Sequence, residues 1–262
     1  MILDEIAKKT IERVAKQKEA CPVEKLKELI KAGTYVSKRG DFAFEKALKG
    51  ESVRFICEVK KASPSKGVIA EDFPYVEIAK SYVVAGANAI SVLTEPFYFL
   101  GSDEYLKEIS KEVSIPVIRK DFTVDEYMIY EAKAYGADAV LLICAILSEE
   151  QLKAYKELAD SLGLTALVET HDEEEIAMAL RIGARVIGVN NRNLKDFTVD
   201  INHSVELRKL VPEEIVFVSE SGMKTREDIK RLEDNKTNAV LIGETFMRSD
   251  NKKEMLDYLA GR

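Results

Sequence analysis

A glutamate and a lysine two residues apart, Glu58 and Lys60, stand directly after the apolar run Val53 to Cys57 and just before the turn Ser63-Pro64-Ser65, which Gly67 closes. If the run is a strand, its period of two turns both charges to one side. A carboxylate and an ammonium side by side at a strand mouth, next to a shaped loop, can exchange protons or hold an anion. A second lysine, Lys120, follows Ile115-Pro116-Val117-Ile118-Arg119 and precedes Asp121. Crowded by Lys60 and Arg119, it is expected to lose proton affinity from about 10.4 and to serve as a general acid near neutrality. The same setting would suit a Schiff-base lysine and an aldolase-like reaction. Glu169, directly after Leu167-Val168, is expected to have its pKa raised by burial into the range useful for proton transfer; its alternative is a salt bridge to one of the lysines.

Further along, Asn190 and Arg192 follow Val186 to Val189 and suit contacts to hydroxyls and anions, although Asn clusters also simply make turns. Ser219-Glu220-Ser221-Gly222 and Gly243-Glu244 each follow an apolar run, and their backbone N–H groups suit a phosphate. Glu244 is expected to turn its side chain away from such a dianion and to contribute its N–H. Phe99 and Phe122 could sandwich a planar ring, or serve as core or loop anchors. His171 could be a base, but lying two residues further into the loop beside Asp172 it reads rather as a helix cap or a surface residue; His203 has no partner pattern, and two distant histidines make no metal site.

These residues are scattered over nearly 190 positions, so something must gather them. Eight apolar runs recur: Val53 to Cys57, Ala89 to Leu93, Ile115 to Ile118, Ala139 to Ile143, Ala166 to Val168, Val186 to Val189, Ile215 to Val218 and Ala239 to Ile242. Successive starts lie 20 to 36 residues apart, room for one helix and two short loops per unit. Gly86-Ala87, Gly136-Ala137 and Gly183-Ala184 read as helix ends leading into strands. Eight such units predict a closed (β/α)8 barrel, a TIM barrel, rather than a doubly wound sheet, and no GxGxxG or Walker sequence is present. All strand ends then converge on one face. The chain of 262 residues is expected to form one domain, with about the first fifty residues as a helical extension over one end of the barrel, either a plug on the bottom or a lid at the site.

A net charge of −7 argues against nucleic acid as a partner. Three cysteines without metal-like spacing fit a reducing compartment, and the sequence shows neither a signal-peptide core nor a run long enough to span a membrane. The expectation is a cytoplasmic protein that takes a small phosphorylated substrate, has no membrane or nucleic-acid partner, and is compatible with a monomer.

Taken in order, Glu58-x-Lys60-x-x-Ser63-Pro64-Ser65, Leu93-Thr94-Glu95, Arg119-Lys120-Asp121-Phe122, Leu167-Val168-Glu169-Thr170-His171, Asn190-x-Arg192, Ser219-Glu220-Ser221-Gly222 and Gly243-Glu244 resemble indole-3-glycerol phosphate synthase over essentially the whole chain. Ala62 stands where some members carry a further lysine. The resemblance implies ring closure, decarboxylation and dehydration of 1-(2-carboxyphenylamino)-1-deoxyribulose 5-phosphate without metal or cofactor. It implies catalytic roles for Glu58, Lys60, Lys120, Glu169, Asn190 and Glu220. Substrate and phosphate contacts fall to Ser63, Phe99, Phe122, Arg192, Ser221, Gly222, Gly243 and Glu244. The silent alternative, a barrel that only binds a metabolite or a partner subunit, would not need both proton donors and acceptors at its mouth.

Overall fold

A computed structural model of the chain describes residues 2–35, 37–193 and 196–262. Eight parallel strands close into a barrel: β1 (Arg54–Val59), β2 (Ala89–Leu93), β3 (Val117–Lys120), β4 (Ala139–Ile143), β5 (Thr165–Thr170), β6 (Val186–Asn190), β7 (Val216–Glu220) and β8 (Ala239–Ile242). Before the barrel come α1 (Ile2–Ala20), α2 (Val23–Ala32) and α3 (Ala43–Ala47). The strands are joined through α4 (Tyr75–Ala85), α5 (Asp103–Glu112), α6 (Tyr127–Ala134), α7 (Glu149–Ser161), α8 (Glu173–Arg181), α9 (Asn202–Leu207) and α10 (Arg226–Asp234); α11 (Glu244–Arg248) and α12 (Lys252–Ala260) follow β8. No described helix is long and apolar enough to cross a membrane.

All eight apolar runs are strands, and β1, β3, β5, β6 and β7 continue one or two residues beyond them. Backbone pairing does not stop where polar side chains begin: Glu58 pairs with Ser91, Lys120 with Leu93, Glu169 with Ile143, and Asn190 with Glu220. The polar residues therefore sit on strand, not loop, and inherit the rigidity of the sheet.

Alternation sorts each strand into two faces. Ile56, Ile118, Leu167, Val216 and Leu241 fill the barrel interior, whereas Phe55, Val117, Val168 and Phe217 face the helices. Continued by two residues, or by four from Val216 through Val218, the inward series reaches Glu58, Lys120, Glu169 and Glu220.

The extension divides between the two ends of the barrel. Phe44 of α3 and Leu48 just after it are fully buried in the interior cluster, and the Glu45 N–H donates to Thr165 Oγ1 at the start of β5 (3.2 Å). This part is a bottom plug, whose two side chains contribute about 1.5–3 kcal/mol each by burial. In α1, by contrast, Arg13 donates twice to Asp121 at 2.9 Å, and Asp121 is the first residue past β3 at the opposite end. Lid and plug are thus both present, within one N-terminal segment. Between them, Leu26 of α2 packs with Val14, Tyr127 and Met128 and ties the extension to α6.

Candidate active site

The strand C-termini surround a cavity of about 900 Å³. Its walls include Glu58, Lys60, Lys120, Glu169, Asn190 and Glu220 on the inner face; Ser63, Phe99, Phe122 and Arg192 from loops; and Ser221, Gly222, Gly243 and Glu244 past β7 and β8. Every residue expected at the site therefore lines one space. Ile2, Leu3 and Ile6 of α1 line it too, as do Leu93, Leu141 and Ile143. The resulting apolar collar strengthens electrostatic interactions between the charges it surrounds.

Among the charged groups, Lys60 Nζ lies 2.5 Å from Glu58 Oε1. Lys120 Nζ is 3.2 Å from both Glu169 Oε2 and Glu220 Oε2. Asn190 Nδ2 donates to Glu169 Oε1 (3.3 Å), while its Oδ1 accepts from the Arg192 N–H (3.0 Å). Two glycines make the room. A Cβ at Gly188 would stand 2.4 Å from Glu220 Oε1, and one at Gly243 would stand 2.4 Å from Glu58 Oε1.

The electrostatics reverse two expectations from sequence. Burial works against the Lys120 ammonium, but Glu220, Glu169 and Glu58 outweigh it and hold its pKa above the ordinary lysine value. Arg119 does not crowd it, because alternation sends Arg119 to the outer face, where it pairs with Asp103 (2.9 Å) and Glu131 (2.7 Å). Glu169 is buried, which alone would raise its pKa, yet Lys120, His171 and the Asn190 amide bring it below the usual value. The carboxyl that burial does raise is Glu220, to about 7, with Glu169 and Glu58 adding to burial against Lys120. Its Oε1 is buried without a hydrogen-bond partner among the described residues. The high-pKa acid thus stands on β7 and not on β5: Lys120 is equally close to both glutamates, but Glu169 alone also has His171 and the Asn190 amide beside it, which neither motif reveals.

Phe99 and Phe122 touch, with centroids 6.0 Å apart and planes at 38°. They form one aromatic wall, and no slot separates them. Phe99 is placed by Glu95, whose buried carboxylate accepts the N–H groups of Phe97, Tyr98 and Phe99 at 2.9, 2.7 and 3.0 Å. Glu244 turns its side chain to Arg248 (3.0 Å) and Lys66 (3.6 Å). Ser221 and Gly222 both adopt positive φ, 70° and 98°, and the Ser221 N–H donates to Leu241 O.

Two features escape a reading of the sequence. His171 is not a cap, since Asp172 caps α8 by accepting from the Glu175 N–H; its ring lies 3.6 Å from Glu169. Asp121 is buried and accepts from Arg13, Thr94 Oγ1 (2.6 Å) and its own neighbour's N–H, that of Phe122 (2.8 Å). The only sequence signal for the latter is an acidic residue between two mouth positions.

A closed barrel that gathers two lysines and three glutamates around an apolar-collared cavity at its C-terminal mouth defines an acid–base enzyme of the (β/α)8 class. The model of the indole-3-glycerol phosphate synthase family matches residues 3–259, and the chain belongs to that family. It is 57% identical to the indole-3-glycerol phosphate synthase of Ruminiclostridium cellulolyticum over all of this chain and 99% of the relative. To that of Lachnoclostridium phytofermentans it is 53% identical, over 98% of this chain and 97% of the relative. Among solved structures, a 3-hexulose-6-phosphate synthase superposes with a TM-score of 0.63 at 12% identity over 80% of this chain and 99% of that one. A thiamine phosphate pyrophosphorylase from Pyrococcus furiosus gives 0.59 at 16% identity over 80% and 94%. These last two likenesses concern the barrel alone.

Proposed function

We propose that the charged groups at the mouth divide the family's reaction, conversion of 1-(2-carboxyphenylamino)-1-deoxyribulose 5-phosphate to indole-3-glycerol phosphate, into one ring closure and one dehydration. The observation that carries the division is that Lys120 stands equidistant, at 3.2 Å, from two glutamates of unlike proton affinity.

In ring closure, the anthranilate carbon bearing the carboxylate attacks the ribulose carbonyl, whose oxygen becomes an alkoxide. Lys120 keeps its proton through neutral pH and gives it up to that alkoxide, a stronger base than an amine. A Lys120 that is protonated at rest is also a poor nucleophile, which argues against the Schiff-base aldolase alternative. Lys60, paired with Glu58, holds the substrate carboxylate next to the reacting carbon until carbon dioxide leaves, and restores the ion pair afterwards. Dehydration then needs a proton on the departing hydroxyl and a base for the ring C–H. Glu169, ionised, is the base; Glu220, half-protonated near neutrality, is suited to supply the proton. Asn190 orients Glu169. The phosphate lies against Arg192, the Ser221 hydroxyl and the N–H groups of Gly222, Gly243 and Glu244, while the anthranilate ring packs on the wall of Phe99 and Phe122 and on Ser63.

The test is to incubate the protein with the carboxyphenylamino-deoxyribulose phosphate and to follow indole fluorescence, which a chain without tryptophan does not mask. The expected result is a rise that Lys120→Ala abolishes. A rise that persists in Lys120→Ala and Glu169→Ala alike would remove both assignments.

A further inference from the structure

A second cavity, of about 460 Å³, adjoins the first. His171, Glu175, His203 and Glu206 line it, and it shares Leu3, Asn190, Arg192 and Asp200 with the reaction cavity. Glu169 faces the reaction cavity and His171 the side cavity, so this pair of groups forms the partition between them.

His171 is held at its backbone N–H, its carbonyl oxygen and ring Nδ1. Glu175 Oε2 accepts the His171 backbone N–H at 2.7 Å and lies 3.3 Å from ring Nδ1. His203 Nε2 lies 2.6 Å from the His171 carbonyl oxygen, which makes it the donor of that bond. With Nδ1 fixed on Glu175, Nε2 must point to Glu169, whose Oε1 lies 3.6 Å away. That distance is too long for a hydrogen bond, and Nε2 is buried with no hydrogen-bond partner among the described residues. A neutral ring with its proton on Nδ1 presents a lone pair to a carboxylate oxygen, and two acceptors face each other with no proton between them. A proton placed on Glu169 would close the gap.

We propose that His171 relays the proton collected by Glu169 out of the reaction cavity, through the side cavity, to solvent. The inference rests on the reading of Glu169 as the base of the dehydration. When the ring C–H bond breaks, its electron pair enters the ring and its proton goes to Glu169 Oε1. From there it passes to His171 Nε2, forming an imidazolium stabilised by Glu175, and then to water in the side cavity. Glu169 is thereby reset while α1 and the bound product still cover the mouth. His171 touches no substrate and is a positioning and relay residue. The charged groups that face its ring are Glu169, Glu175 and, from β7, Glu220; together they outweigh burial and hold the ring's pKa above its usual value. Asp172 adjoins it in the chain, while Arg192, Asp200 and Glu206 share the side cavity wall.

His171→Gln and His171→Ala test the relay. The expected outcome is about a tenfold fall in kcat with KM within twofold of wild type. Free imidazole, for which the side cavity has room, restores part of the rate in His171→Ala. The rate rises with pH as the ring becomes neutral and able to accept, so Glu175→Gln, which removes a carboxylate favouring imidazolium, moves that limb of the kcat profile to lower pH. An unchanged profile in Glu175→Gln, with no imidazole rescue in His171→Ala, would overturn the relay even if both variants lose rate. Glu169→Gln, measured beside them, separates the two failures. If it keeps full activity, the reading of Glu169 as base fails; if it alone is inactive while the His171 variants match wild type, only the relay does.

Discussion

Arg119 and Lys120 are neighbours on β3, yet each heads a different charge cluster, and the two clusters contain the same charges. On the outer face, Arg119 and Arg13 meet Asp103, Asp121 and Glu131. Inside the mouth, Lys120 and Lys60 meet Glu169, Glu220 and Glu58. Each has two cations and three carboxylates, and in each burial raises the pKa of one carboxyl, Glu131 outside and Glu220 inside. What differs is the chemistry of the cation and the completeness of its bonding. Arg119 uses its whole fork: Nε to Thr94 Oγ1 (3.1 Å), one terminal nitrogen to Met128 O (3.0 Å), and the other to the acids. A guanidinium does not release its proton, so such a cluster can only hold elements together. The ammonium of Lys120 has two carboxylate partners, an open cavity in front of it, and a proton it can give. On the roles proposed above, charge count does not distinguish structure from catalysis; donor type and unfilled bonding capacity do.

The sharpest way to break this comparison is to exchange the donor types. Lys120→Arg keeps the charge and the ion pairs but removes a transferable proton, so it is expected to be as inactive as Lys120→Ala. Both should lose about 10²- to 10⁴-fold in kcat/KM, the usual contribution of a positioned general acid. Circular dichroism should remain native in both. Retention of activity in Lys120→Arg would mean that charge alone sufficed.

On the outer face the roles reverse. Arg119→Ala leaves Asp103, Asp121 and Glu131 around a buried vacancy, and breaking a buried pair from one side costs about 3–5 kcal/mol. The measurement is urea unfolding; kcat of the folded fraction should stay within a few-fold of wild type. A variant as stable as wild type would remove the structural half of the contrast.

Glu220→Gln joins the two properties. A carboxyl with a folded pKa of about 7, raised above its unfolded value, binds more protons folded than unfolded between about pH 4.5 and 7. Stability from this group is therefore full below about pH 4.5 and declines as pH rises through 7. Replacing it by an uncharged amide should change little at pH 5 but raise stability by roughly 1–3 kcal/mol at pH 8, while activity falls. Equal melting-temperature shifts at pH 5 and pH 8 would show that Glu220 does not titrate as described.

The contrast also marks where sequence is legible. The eight strands are, because short apolar runs recurring at regular intervals, each followed by room for a helix, fit little besides a parallel sheet covered by helices. The inner residues follow, because the strand period carries the inward face past the last apolar residue to Glu58, Lys120, Glu169 and Glu220. The outer cluster is not legible. Sequence reasoning sends Arg119 to the mouth because its partners come from the start of α5 and the middle of α6, and the cluster's second cation from α1, separate segments that meet only when helices pack. Proton affinities are illegible for a related reason. Whether Glu169 or Glu220 keeps a low pKa depends on a histidine ring and an asparagine amide that only the folded barrel brings beside Glu169. The double nature of the extension is equally hidden, since Phe44 and Ile6 are both apolar residues on short helical patterns and only the closed barrel has two ends to offer them.

The smallest expected effect lies where the two clusters meet. Arg13 belongs to the outer cluster through Asp121, but its helix carries Ile2, Leu3 and Ile6 into the collar of the inner one. Arg13→Ala leaves Asp121 bonded to Thr94 and near Arg119, so the barrel itself loses little, about 1–2 kcal/mol. What weakens is the attachment of α1 over the mouth, which Tyr98 still holds through Glu5 (2.6 Å). With the collar open for part of the time, substrate is less completely desolvated and KM should rise several-fold, kcat changing less. Limited proteolysis within α1 should quicken, and saturating substrate should slow it again. If proteolysis quickens while KM stays fixed, α1 would be an anchor of the fold that adjoins the cavity without closing it, and the outer cluster would be structural in full.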